Sequence, residues 1–405
     1  MNQQDYLTEV DRYSAHNYHP LPLVLTRGEG SWVWDLEGNR YLDCLAAYSA
    51  VNQGHRHPRI VAAARDQLDR LTLTSRAFHN DLMGPFLHRL CDVAGYDKAL
   101  PMNTGAEAVE TAIKAIRRWG YRVKGIAPDR AEIVVCANNF HGRTTTVISF
   151  STEDAYRADF GPLTPGFVTV PYGDAAALEQ AIGPHTAAFL MEPLQGEGGV
   201  VVPPAGYLAA VADICSAANV LLVADEIQTG LGRTGKLFCC DWEGVHPDVM
   251  LLGKALGGGV YPVSAMLARN EVMDVFQPGD HGSTFGGNPL GAAVGLAALE
   301  VLLDEELPQR AAELGAWFME QLRHIDSPHV REVRGRGLMI GVEIEASSGP
   351  ARGFCEALQA RGILAKETHE QVVRFAPPLT VERADLEWAL GEIGEVLVGE
   401  PVALA

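Results

Sequence analysis

From about residue 85 to residue 290 the chain alternates short, almost continuous apolar runs with longer stretches of helical spacing. Ile133-Val-Val-Cys136, Ala187-Ala-Phe-Leu-Met191, Val220-Leu-Leu-Val-Ala224 and Val249-Met-Leu-Leu252 contain no polar side chain. Runs of that length and composition predict strands of a parallel sheet covered on both faces. Between them, Ala106, Val109, Ile113 and Ile116 fall on one helical face. Thr104-Gly-Ala-Glu107 in front of that face is a capping-box pattern, worth about 1 kcal/mol at a helix start. Strand and helix alternating in this way predict an α/β layer architecture with right-handed crossovers.

The last hundred residues read differently. Val330–Val333, Leu338–Val342 and Val372–Phe375 are predicted strands, and Leu386, Leu390, Ile393 and Leu397 mark an amphipathic final helix. Near the N-terminus, Trp32-Val-Trp-Asp-Leu-Glu-Gly-Asn followed by Tyr41-Leu-Asp43 reads as a hairpin. The expected division is an N-terminal segment, 1–50, packing with a small domain at 291–405, and a large domain at 51–290. The long apolar stretch Leu290–Leu303 is too short for a bilayer span and contains Glu300, so it is expected as a buried helix.

Nearly half of the 405 residues are apolar (47%), enough for a sizeable core. Lys and Arg number 32 against 51 Asp and Glu, a formal charge of −19. That balance argues against nucleic acid or an anionic membrane as partner, since both demand a basic face. Cys44, Cys91, Cys136, Cys215, Cys239, Cys240 and Cys355 form no CxxC pair and are odd in number. Reduced core thiols in a cytoplasmic protein are the expectation, and the first residues show no signal peptide.

Two segments carry the chemistry. One apolar run leads into Asp225-Glu-Ile-Gln-Thr229, and the next leads into Lys254 on the glycine-rich Leu251-Leu-Gly-Lys-Ala-Leu-Gly-Gly-Gly259. A lysine amine able to condense with an aldehyde, beside a carboxylate able to keep a pyridine nitrogen protonated, suits pyridoxal phosphate. Asn103-Thr-Gly-Ala106 stands at a helix start, which suits a phosphate, although an ordinary capped helix looks the same when taken alone. Gln228 could reach a ring hydroxyl or serve as a turn residue. Phe140 could stack on a cofactor ring or fill the core. His141 could be a general base, a packed residue or a cap. Arg143 and Arg374 are candidates for gripping carboxylates, as are many solvated arginines.

Gly230-Leu-Gly-Arg-Thr-Gly235 matches the dinucleotide pattern GxGxxG. It does not lead directly from strand into helix, and Lys236-Leu-Phe-Cys-Cys240 after it reads as extended. It is rejected as a nucleotide site. The chain has no GxSxG, no HExxH and no metal-ligand spacing among its histidines.

From about Tyr13 to the final helix the chain resembles the class III, fold-type I pyridoxal-phosphate aminotransferases. The resemblance rests on Met102-Asn-Thr-Gly105, Asp225-Glu-Ile-Gln-Thr-Gly230, Leu251-Leu-Gly-Lys254 and His281-Gly-Ser-Thr-Phe-Gly-Gly-Asn288. Ala15-His-Asn-Tyr-His-Pro20, Tyr48-Ser-Ala-Val-Asn-Gln-Gly-His55 and Arg374-Phe-Ala-Pro-Pro378 are similar to the ornithine branch of that family. The resemblance implies a large, mainly parallel sheet domain with helices on both faces and a smaller α+β domain. It also implies that Lys254 bonds the cofactor and shuttles protons, Asp225 pairs with the pyridine nitrogen, and Gln228 with the ring hydroxyl. Phe140 would stack on the ring, and Gly105 and Ala106 would bind the phosphate. Thr284 would reach the phosphate of the neighbouring subunit, making a homodimer with shared active sites.

For substrates, the resemblance implies L-ornithine and 2-oxoglutarate, in arginine and proline metabolism. Arg143 would hold the distal carboxylate end, Tyr18 would touch the ornithine α-amine, and Tyr48 would narrow the site. Glu197 would mask Arg374 until glutamate or 2-oxoglutarate enters. Position 141 departs from the pattern: it is His where animal members of that branch usually carry Trp. Phe140-His-Gly-Arg143 is similar to the acetylornithine enzymes, so an acetylornithine or other ω-amino acid aminotransferase is the alternative. An aminomutase, or a catalytically silent binding protein on the same fold, are more distant ones.

Overall fold

The computed structural model describes residues 2–399. β1 (Leu25–Glu29), β2 (Trp32–Asp35) and β3 (Arg40–Asp43) form an antiparallel meander. Asp35 closes the β2–β3 turn, its Oδ1 accepting the N–H groups of Glu37 and Asn39 at 2.9 and 2.8 Å. This is the local carboxylate-to-backbone bonding that makes Asp a turn residue. The expected hairpin is therefore present, with β1 added to its outer side.

The central sheet contains β4 (Lys98–Met102), β5 (Glu132–Cys136), β6 (Phe167–Val170), β7 (Thr186–Met191), β8 (Leu221–Asp225), β9 (Val249–Leu252) and β10 (Ser264–Ala268). Their order is β4-β10-β9-β8-β7-β5-β6. β10 alone runs against its neighbours; every other adjacent pair is parallel. The apolar runs are continuous because alternate residues serve two cores. Ile133, Val135, Ala188, Leu190, Leu221 and Val223 face the cluster built with the Gly105–Trp119 helix. Val134, Cys136, Phe189, Met191, Leu222 and Ala224 face the opposite cluster, built with the Tyr207–Ala217 helix.

Toward the C-terminus lie β11 (Val330–Arg336), β12 (Met339–Ile344), β13 (Ile363–Leu364), β14 (Lys366–Thr368) and β15 (Val372–Phe375). Four of them form a sheet in the order β11-β12-β15-β14, while β13 pairs in parallel with β3. That pairing ties the N-terminal meander to the C-terminal third. The Arg383–Val398 helix buries Leu386, Ala389, Ile393, Val396 and Leu397, as its spacing requires. Pro289–Asp304 is a helix with Ala292, Val294, Ala298, Val301 and Leu302 in the core. No helix among the described residues is long and apolar enough to cross a membrane. All seven cysteines are free thiols.

The Gly230–Gly235 segment is a packing device. Buried Arg233 donates from Nη1 to the carbonyls of Leu338 and Pro377 at 2.8 and 2.6 Å, and from Nη2 to Asn52 Oδ1 at 2.6 Å. A Cβ on Gly235 would stand 2.9 Å from Ala312 Cα, so the backbone approach itself requires glycine there. The extended reading of Lys236–Cys240 is corrected: Cys239–Glu243 is a 3-10 turn, with Asp241 Oδ2 accepting the Phe238 N–H at 3.0 Å. Local apolarity looked like a strand, but the Asp241 carboxylate closes the chain into a turn.

Candidate active site

β8 ends in Asp225, and in the β8–β9 register Asp225 stands opposite Leu251. Lys254 lies three residues beyond, in a turn that starts as β9 ends, with φ of +42°. A left-handed lysine costs roughly 1–2 kcal/mol and is kept only where its surroundings enforce it. Both side chains thus reach the carboxyl ends of parallel strands, where open α/β sheets gather their ligands. A cavity of about 210 Å³ opens there, bounded by Lys254, Asp225, Gln228, Glu197, Phe140, Gly105 and Ala106 among others. Burial pushes the Lys254 amine below its ordinary value, while the charges of Glu197 and Asp225 pull it partly back. Lys254 Nζ has no hydrogen bond among the described residues.

At the floor, Asp225 Oδ1 accepts the Ile227 N–H at 3.1 Å, and Oδ2 lies 2.7 Å from His141 Nδ1. Both side chains are almost completely buried. Burial alone would lower the His141 value, but the Asp225 carboxylate outweighs it and the net shift is upward. Close by, buried Glu192 accepts the Phe140 N–H at 2.9 Å and the Gly196 N–H at 3.3 Å. Burial raises its carboxyl to about 7. Glu192 was not singled out from the sequence, where it reads only as the residue after an apolar strand. His141 was recognised as ambiguous, but its partner is 84 positions away and no local pattern announces the pair.

One wall is the start of the Gly105–Trp119 helix. The capping box predicted there is present: Thr104 Oγ1 accepts the Glu107 N–H at 3.2 Å, and Glu107 Oε2 accepts the Thr104 N–H at 2.7 Å. The N–H groups of Gly105 and Ala106 belong to the first turn, which has no intrahelical acceptors.

On the opposite side, Glu197 Oε1 accepts from Arg374 Nη1 at 2.6 Å and from Gln228 Nε2 at 3.0 Å. Burial works against the Glu197 charge, yet the Arg374 guanidinium wins and holds the carboxyl below its ordinary value. Arg374, on β15, is buried, and its Nε and Nη2 have no partner among the described residues. Its guanidinium lies 5.1 Å from the centre of the Tyr48 ring. Tyr48 belongs to a run of left-handed residues, Ala46 to Ser49, whose entry is fixed by Asp43 Oδ1 accepting the Leu45 and Ala46 N–H groups at 2.9 Å.

Five predicted residues stand outside this cavity: Arg374 and Tyr48, described above, and Arg143, Tyr18 and Thr284. The Arg143 guanidinium lies over the Tyr156 ring at 3.5 Å and near Phe140 at 5.5 Å. Exposed Tyr18 borders an adjoining cavity of about 470 Å³ together with Tyr48. Thr284 is exposed and does not line the cavity within its own chain.

Residues 13–397 match the family model described as aminotransferase class-III. The chain belongs to the class III aminotransferases. It is 58% identical over 391 residues to an ornithine aminotransferase from Brevibacillus brevis, covering 96% of this chain and 97% of that one. The solved ornithine aminotransferase from Toxoplasma gondii, whose active site carries partially occupied PLP, superposes with a TM-score of 0.97. It is 47% identical, with 98% of this chain and 95% of that chain covered. An acetylornithine aminotransferase from Elizabethkingia anophelis gives 0.90 at 46% identity, with 98% of each chain covered. The mixed sheet with helices on both faces is the fold-type I arrangement, and this class III aminotransferase is a pyridoxal-phosphate enzyme.

The residues present fit that cofactor. Gln228 Oε1 and His141 Nε2 are buried without a partner among the described residues, so the site carries polar atoms that these residues do not satisfy. An amine, a carboxylate and a helix start surround the same space, which is the donor set an aldehyde, a pyridine nitrogen and a phosphate require.

Proposed function

We propose that the chain transfers the δ-amino group of L-ornithine to 2-oxoglutarate. The products are glutamate and glutamate 5-semialdehyde, which closes to pyrroline-5-carboxylate with loss of water. The observation that carries this reading is the Glu197–Arg374 pair. A carboxylate masking a buried guanidinium lets one pocket take the terminal amine of a cationic substrate and then the α-carboxylate of an anionic one.

When bound, pyridoxal phosphate supplies an aldehyde for the amino group and a ring that accepts the electron pair left by proton removal. Lys254 Nζ would take the proton from the substrate carbon and return it, and its depressed proton affinity suits that exchange. Asp225 would hold the proton on the ring nitrogen, with His141 orienting its carboxylate. Gln228 would hold the ring hydroxyl, Phe140 the ring, and the N–H groups of Gly105 and Ala106 the phosphate. Arg143 binds the distal carboxylate end of either substrate, Tyr18 the ornithine α-amine, and Tyr48 limits the width of the pocket. Thr284 serves the phosphate of a second subunit, which makes the working form a homodimer. A cytoplasmic location and a place in arginine and proline metabolism belong to the same reading. Residues 1–50 and 291–405 are read as one smaller unit against 51–290, supported by the β3–β13 pairing.

Acetylornithine aminotransferase is the second reading, favoured by His141 within Phe140-His-Gly-Arg143 and by the Elizabethkingia relative. The experiment is a substrate panel with 2-oxoglutarate as acceptor. Ornithine should give pyrroline-5-carboxylate with the highest kcat/KM; rapid turnover of N-acetylornithine with no product from ornithine would overturn the proposal.

A further inference from the structure

The stretch from Ser14 to Val24 that carries Tyr18 has neither helix nor strand, and its residues are mostly exposed. Apolar packing therefore does little to fix it. Gln3 bonds its far end, at the Pro22 carbonyl and the Val24 N–H, and beside Tyr18 the tether is one side chain, Arg352. Arg352 Nη1 donates to the His19 carbonyl and Nη2 to the Pro20 carbonyl, both at 3.1 Å. The guanidinium is itself held, with Nε donating to Glu356 Oε1 at 2.6 Å and Nη1 to Glu367 Oε1 at 3.4 Å. Arg352 is buried although it carries a full charge.

Its position in the fold gives the clamp a purpose. Arg352 stands in the first turn of the Ala351–Ala360 helix, whereas Glu367 belongs to β14. β14 pairs with β15 so that Lys366 stands opposite Arg374. The unit that presents Arg374 to the substrate cavity thus also grips the backbone next to Tyr18. A planar fork reaching two successive carbonyls fixes direction as well as distance, which an ammonium group cannot do.

We propose that Arg352 is a positioning residue that holds the Tyr18 segment against the mouth of the site and thereby sets the efficiency of the ornithine half-reaction. The inference rests on the reading of Tyr18 as a contact of ornithine. Arg352 lines neither the cavity at Lys254 nor the one bordered by Tyr18. Its removal frees residues 18–20 without altering the Glu197–Arg374 pair or the groups around Lys254, so the cost falls on one substrate only.

The test uses the holoenzyme and follows the cofactor absorbance in single-turnover half-reactions with ornithine and with glutamate. Arg352→Ala is expected to lower kcat/KM for ornithine about 10-fold while the glutamate half-reaction stays within about 2-fold. The double variant Arg352→Ala/Tyr18→Phe should lose little more than the worse single variant, because both act on one contact. Equal losses in both half-reactions, or losses that multiply in the double variant, would overturn the proposal. If the alanine variant does not accumulate as folded protein, Arg352→Gln keeps much of the buried volume and is judged by the same outcomes. Tyr18→Phe separates the two levels. If it leaves ornithine turnover intact, the reading of Tyr18 fails and the inference with it. If it impairs ornithine turnover but the Arg352 variants do not, only the inference fails.

Discussion

His141 Nδ1 lies 2.7 Å from Asp225 Oδ2, with both side chains sealed inside the protein. A buried carboxylate bonded to one imidazole is oriented strongly, since little water competes for it. The other Asp225 oxygen is committed to the Ile227 N–H, so the whole group is fixed at the end of β8. Its orientation is set before any ligand arrives.

Replacing Asp225 with Asn keeps the shape but removes the negative charge that holds the His141 proton and, in the proposed function, the ring-nitrogen proton. Steady-state kinetics on Asp225→Asn should show kcat reduced by roughly 100-fold or more, the scale of a lost proton-controlling group. Retention of more than about a tenth of wild-type kcat would remove Asp225 from the chemistry.

Glu192 predicts a pH dependence of stability. Its carboxyl is raised from 4.5 to about 7 in the folded chain, so the native state binds more protons than the unfolded one between those values. Stability is then fullest below about pH 4.5 and falls as pH rises through 7. A shift of that size corresponds to on the order of 3 kcal/mol. His141, also raised, adds loss in the same direction as pH climbs past its folded value. Denaturant unfolding of the apo-protein at several pH values should show Glu192→Gln with a flatter profile than wild type. Parallel profiles would mean that Glu192 does not titrate in this range.

Glu197→Ala unmasks Arg374 and leaves a buried guanidinium without its carboxylate. The ratio of kcat/KM for ornithine to that for glutamate should fall at least about 10-fold, with stability lowered by about 3 kcal/mol. Both follow from enzyme assays and denaturant melts on one preparation. An unchanged substrate ratio would argue against masking.

Gly196 is a place where one methyl group reports on the site. A Cβ there would come within 1.5 Å of Gln228 Oε1 and 2.8 Å of Met339 Cε, both at the ends of flexible side chains. Gly196→Ala should therefore fold, at a cost of about 1–3 kcal/mol, with Gln228 displaced from Glu197. The cofactor absorption band should shift if Gln228 faces the ring hydroxyl; an unaltered spectrum would count against that role.

Four strands of the large sheet, β5, β7, β8 and β9, were legible because they feed two cores and carry long unbroken apolar runs, whereas β4, β6 and β10 were not read; the Thr104 cap was legible because its partners lie within four residues. The Asp225 and Lys254 segments were legible as strand ends for the same reason. The Lys236–Cys240 segment misled, because a carboxylate-closed turn and a short strand share the same apolar signature. What stayed hidden joins distant positions: His141 to Asp225, Glu192 to the Phe140 amide, Arg233 to Asn52 and Pro377, and Arg352 to the segment bearing Tyr18. None of these pairings leaves a periodicity, and each depends on the tertiary fold for its partner.

Lys254 is the hinge of the account. Borohydride reduction of the purified holoenzyme, followed by proteolysis and mass spectrometry, should place the phosphopyridoxyl mass on the peptide containing Lys254. The Lys254→Ala protein treated in the same way should yield none there and turn over ornithine at a negligible rate. The adduct on another lysine, or substantial turnover without Lys254, would contradict the account.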